Sequence, residues 1–162
     1  MTTVLVPQRR APAATLVIAG GAVAATFDIV YACAFWAIKR DVPPTRILQS
    51  VAAGLLGKAS FDGGAATAGL GLALHYLIAM TMAFTYYVVA TRWAALRERP
   101  VALGALYGVL LYVIMNYVVV PLSRAIPSPK DPLWVGLSIL VHALLIGVPI
   151  ALFVRRALAP PA

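Results

Sequence analysis

Residues Leu70–Ala90 read LGLALHYLIAMTMAFTYYVVA, a stretch without a formally charged side chain and with one histidine, His75, near its start. A run of about 21 residues, at about 1.5 Å per residue, is long enough to cross a hydrocarbon core of roughly 30 Å as a helix. The rest of the chain reads as scaffolding around it. Of the 162 residues, 62% are hydrophobic and 11% charged, and mean hydropathy is +0.92. Soluble domains carry about a quarter charged residues, so this chain lacks the polar surface to stay dissolved. Its solvent is a bilayer.

Three more apolar runs follow the same pattern, and together they predict an all-α membrane protein, a four-helix transmembrane bundle. The spans fall at about 16–38, 70–90, 101–120 and 133–154. They form a single membrane domain, 16–156, between a mobile N-terminal tail, 1–15, and a short C-terminal tail, 157–162. The loops are too short to hold a separate soluble domain. Span 1 follows Arg9 and Arg10 as a signal peptide would, but it is too long for that and carries Asp28 in its middle, so it is read as retained. Gly21, Ala25, Asp28 and Ala32 share one helical face, and a face of small residues lets helices approach closely. Asp28 is thereby expected to point into the bundle.

Between spans 1 and 2, Lys39-Arg40-Asp41 stops the first helix and Pro43-Pro44 starts another. Ile47, Leu48, Val51 and Leu55 then fall on one face, predicting a short helix that lies at the interface or dips into it as a re-entrant segment. Gly57, Gly63 and Gly64 break the pattern. Span 3 contains Gly104 and Gly108 as GxxxG, a packing face for a neighbour within the bundle or for a second copy of the chain. Pro121-Leu122 closes it, and a stiff loop through Pro127, Pro129 and Pro132 leads to span 4. Trp36, Trp93 and Trp134 stand at span ends, where interfacial tryptophans belong.

The net charge of +8 would suit a nucleic-acid binder, but its positions point to lipid. Arg9, Arg10, Arg92, Arg97, Arg99, Arg155 and Arg156 flank apolar runs, where basic residues meet headgroups. An even number of spans puts both termini on one side. The side with the termini holds seven basic residues, the other six (Lys39, Arg40, Arg46, Lys58, Arg124 and Lys130). The short basic second loop and the Arg155-Arg156 pair abutting span 4 favour cytoplasmic termini. The single cysteine, Cys33, excludes an intramolecular disulfide.

Ionisable groups inside spans are costly and mark candidate functional positions. Here they are Asp28, His75 and His142, joined by Asn116, one polar group from each span and all expected in the same half of the bilayer. Convergence would build a proton-responsive site of carboxylate, two imidazoles and an amide, with Tyr31, Tyr112 and Ser138 nearby. The plain alternative is interhelical hydrogen bonding worth about 1 kcal/mol per group. Two histidines on separate helices also suit axial ligation of haem b by His75 and His142, and Asp28, His75 and His142 could supply three ligands to zinc. The chain has no HExxH, Walker, GxSxG or CxxC motif, which leans against an enzyme.

Several short features together resemble the YagU-like family of small bacterial inner-membrane proteins. They are Pro43-Pro44 followed by Arg46, His75 with Tyr86 and Val88-Val89 later in the same span, Pro121-Leu122, and His142 ahead of Arg155-Arg156. The resemblance implies a bacterial plasma membrane and a four-helix architecture, without an assigned activity. Asp28 has no counterpart in it, so its role rests on the physical argument.

Overall fold

The computed structural model describes residues 11–126 and 131–160. Arg9, Arg10, Pro127, Pro129 and Lys130, with most of the expected N-terminal tail, lie outside the described residues. Four helices are long and apolar enough to cross a membrane: α1 (Ala13–Arg40), α3 (Gly64–Arg92), α4 (Pro100–Leu122) and α5 (Pro132–Ala157). Between the first two lies α2 (Pro44–Leu56). All four run past the expected span ends, most of all α3, which begins six residues before Leu70. The helix of α1 already starts at Ala13, inside the segment read as a tail.

Local chemistry sets these boundaries. Asp41 takes a left-handed conformation, φ 52°, as its N–H bonds Ala37 O and that of Val42 bonds Trp36 O, closing α1. Pro44 occupies the first position of α2, where its missing N–H costs nothing. Gly57, at φ 64°, ends α2 in a conformation that a side chain would resist. Pro132 opens α5, and the Asp131 carboxylate caps it by accepting from the N–H groups of Leu133 (2.9 Å) and Trp134 (3.2 Å).

Asp131 also meets Lys39 Nζ at 3.1 Å, joining the end of α1 to the start of α5. The Trp134 N–H bond, then the Lys39 and Leu133 contacts, hold this carboxyl below the usual carboxylate range. Folding thus favours the charged form, and the unfolded chain takes up a proton first as pH falls. The resulting stabilisation is complete above about pH 4, the unfolded value, and disappears as pH falls through the lowered folded value. Asp131→Asn should flatten the acid limb of a stability-against-pH curve. An unchanged limb would show that the cap carries no weight.

α1 packs against α3 and α5, and α4 packs chiefly against α5. Small residues permit these approaches, because helices in lipid associate through close packing. Gly20 lies against Phe153, and Gly21 against Met80 and Ala83, which confirms the small face predicted for α1. Gly104 and Gly108 are both buried, facing the backbone of α5 at Gly147 and His142. The GxxxG face is therefore occupied within the chain and is not free for a second copy, a correction to the dimer option.

α2 packs on the start of α3, where the Leu48 carbonyl closes onto Gly71. The side it turns to α3 is distinct from the Ile47–Leu55 stripe. Gln49, Ala52 and Ala53 are buried, and Leu55 is exposed. The approach at Gly71 selects small side chains, and Gln49 is satisfied by donating to Gly64 O at 3.0 Å. The Arg124 N–H donates to Gly54 O, tying α2 to the end of α4.

Candidate functional site

Two turns of the bundle are widened into π geometry, Met115–Val119 in α4 and His142–Gly147 in α5. Each precedes a proline, Pro121 and Pro149 respectively. A proline lacks its N–H and crowds the carbonyl four residues earlier, and a widened turn accommodates both effects. The prolines thus explain why the helices continue yet change register. The second turn begins at His142.

His142 faces Asp28, Nδ1 to Oδ1 at 4.0 Å, and His75 faces the other carboxylate oxygen, Nε2 to Oδ2 at 3.9 Å. Three of the four expected polar groups therefore converge, from α1, α3 and α5. Measured from the helix ends on the Arg40, Gly64 and Pro132 side, they lie about 15–18 Å along their helices. That common depth follows from the early start of α3. The side chains are largely enclosed, with 14% exposure for each histidine and 26% for Asp28.

Carbonyl partners fix the ring tautomers. His75 Nε2 lies 2.9 Å from Ala25 O, and His142 Nδ1 lies 2.9 Å from Ser138 O. A carbonyl only accepts, so both nitrogens carry protons and donate. His75 Nδ1 and His142 Nε2 are left as the sites where each ring takes up a second proton. Doing so converts the contact with Asp28 into an ion pair without breaking the backbone bonds. The geometry is that of a carboxylate able to receive one or two imidazolium partners.

A second tier surrounds the triad. The Tyr31 hydroxyl meets Ser138 Oγ at 3.3 Å, and the Tyr31 ring stacks on Trp134, 5.1 Å between centroids and 7° between planes. Phe35 and Trp36 complete that aromatic cluster. Tyr112 places its ring edge-on to His142 at 5.4 Å, so α4 reaches the site through Tyr112.

Asn116 does not join. It is exposed, and its Nδ2 donates to Tyr112 O of its own helix at 2.9 Å. The depth estimate gave no rotational position, and the π turn around Asn116 makes the helical period an unsafe guide there. Tyr31, Tyr112 and Ser138, expected near the polar groups, do stand around the triad.

No family model, curated protein or solved structure matches the chain. Its site has to be read from its own chemistry. Among the described residues no group of three or more His, Cys, Asp or Glu side chains is arranged to hold a metal ion. A zinc set would bring its donors to about 2.0–2.2 Å from one point. Here the ring nitrogens nearest Asp28 are protonated and aimed at carbonyls. Axial haem ligation would need His75 and His142 to face each other across a planar slot, and instead one carboxylate lies within 4.0 Å of both.

Proposed function

We propose that this multi-span membrane protein uses Asp28, His75 and His142 as a proton-responsive switch that couples protonation to the packing of α1, α3 and α5. The observation that carries the reading is a single carboxylate at 3.9 and 4.0 Å from two imidazoles on two other helices. Histidine is the side chain that ordinarily changes charge between about pH 5 and 8. Within a bundle, an added charge must be answered by a partner, and Asp28 is placed to answer either ring. The change has a route outward: His142 bonds Ser138 O, Ser138 Oγ meets Tyr31, and Tyr31 stacks on Trp134. The YagU-like resemblance supports placing the protein in a bacterial inner membrane, and the basic Arg92–Arg99 turn and Arg155-Arg156 support cytoplasmic termini.

Magnetic resonance of isotope-labelled histidine in the reconstituted protein tests the switch. The histidine signals should respond to pH, and Asp28→Asn should alter that response while helix content stays unchanged. Tryptophan emission should follow the same titration in the parent protein. A histidine response indifferent to Asp28→Asn would reduce the triad to ordinary interhelical packing.

A further inference from the structure

α3 and α4 are consecutive in the chain, yet α3 packs chiefly on α1 and α2 and α4 chiefly on α5, so the two meet mainly where the Tyr86 and Tyr107 rings touch, 5.0 Å between centroids. The gap is a cleft of about 700 Å³, within the range of roughly 300–1,000 Å³ typical of small-molecule sites. Its walls include Leu77, Thr81 and Thr85 of α3 with Leu106 and Leu110 of α4, and Trp93 stands at one end. The hydroxyls of Thr81 and Thr85 donate to Leu77 O and Thr81 O of their own helix. What these threonines have left for the cleft is apolar. At its floor the Tyr107 hydroxyl donates to Met82 O at 2.8 Å, a polar tie across the gap. From Trp93 to Leu77 the slot extends about 24 Å along α3, past the midplane of a core roughly 30 Å thick.

The mouth at the Trp93 end is basic. Arg92, Arg97 and Arg99 lie in the turn that joins α3 to α4, and none of the three side chains has an ion pair or hydrogen bond among the described residues. Glu98 sits among them, also unpaired, and leaves the turn with a clear positive excess. An apolar slot as long as a lipid tail, opening beneath unpaired arginines, has the charge and shape pattern of a phospholipid with an anionic headgroup. Arginine is suited to phosphate because its planar donors can engage two oxygens together.

We propose that the cleft between α3 and α4 binds an anionic glycerophospholipid from the leaflet on the Arg92–Arg99 side. One acyl chain lies between Thr81/Thr85 and Leu106/Leu110, and the phosphate is held by Arg92, Arg97 and Arg99. This site is separate from the Asp28 triad and does not depend on the switch.

Trp93 provides the probe. In a full-length Trp36→Phe/Trp134→Phe variant it is the remaining tryptophan, and bromine on an acyl chain near the headgroup quenches it on contact. The variant is reconstituted in phosphatidylcholine vesicles, and brominated phosphatidylglycerol is compared with brominated phosphatidylcholine at matched mole fraction. A preference of at least about fivefold for the anionic lipid is expected, the contribution of one arginine near a headgroup. Arg92→Gln/Arg97→Gln/Arg99→Gln should bring the ratio close to one. Thr81→Phe/Thr85→Phe, which fills the slot and leaves the arginines in place, should also abolish it.

Equal quenching by the two lipids overturns the site. So does a preference that survives the filled slot, which would mark attraction to the basic turn alone, or quenching that is lost as the protein self-associates, which would make a second copy the occupant. Should the tryptophan variant fail to fold, native mass spectrometry of the parent protein from mixed lipid decides. Retention of phosphatidylglycerol over phosphatidylcholine that is lost on Thr81→Phe/Thr85→Phe supports the site, and indiscriminate retention refutes it.

Discussion

Gly108→Ala should destabilise the bundle by at least about 1–3 kcal/mol, the usual cost of overpacking a well-filled contact. A Cβ at this position would run into the carbonyl of His142 and crowd the Cα of Ala143. These are backbone atoms, so no rotamer change relieves the clash, and α4 must move away from α5. Gly147 contributes the reciprocal approach, against the Gly104 carbonyl and the Gly108 backbone. Gly136, on α5 as well, has nothing within 4 Å of the corresponding point. Gly136→Ala should therefore be neutral or slightly stabilising, since alanine favours a helix by about 1 kcal/mol over glycine. Unfolding in mixed detergent micelles measures both. Equal costs for the two glycines would show that the α4–α5 approach is looser than described. Because the carbonyl struck belongs to His142, Gly108→Ala should also disturb the histidine titration, whereas Gly136→Ala should not.

The legible part of this protein was what depends on period and length. Apolar runs bounded by basic residues identified four membrane helices, and the small residues at Gly21 and Ala25 gave Asp28 its inward direction. The site was legible for the three groups that follow from depth and face: Asp28, His75 and His142. Asn116 failed because depth says nothing about rotation, and the widened turn before Pro121 alters the register at that point. Pro121 and Pro149 were visible, but a proline in a membrane helix can end it, kink it or widen the turn before it. The choice depends on neighbours that can accommodate the freed carbonyl. The face that α2 turns to α3 was not legible, because a sequence does not show which helix lies close by. The apolar stripe of α2 suggested an interfacial helix facing lipid, while the close approach to Gly71 rewards Ala52 and Ala53 over larger side chains. The cleft between α3 and α4 has no sequence signal, because it arises from α3 packing chiefly on α1 and α2 while α4 packs chiefly on α5.

Removing both imidazoles, as in His75→Leu/His142→Leu, should cost about 3 kcal/mol, the lower end of the range for stripping a buried charge of its partners. The lower end applies because the Asp28 side chain keeps 26% exposure. Either single substitution should cost much less than half of that, since the carboxylate retains one imidazole at 3.9 or 4.0 Å. The two changes are thus expected to be strongly non-additive, which a double-mutant cycle reads directly. Adding Asp28→Leu to the double variant should recover most of the loss, because apolar side chains of similar volume often replace a buried ionic group without penalty. That recovery separates two explanations for the triad. If the carboxylate and imidazoles serve only to hold α1, α3 and α5 together, the triple variant should remain as unstable as the double one. If the triple variant is as stable as the parent while its tryptophan emission no longer responds to pH, the polar triad contributes little to the fold that leucines could not. Its role is then the response to protons.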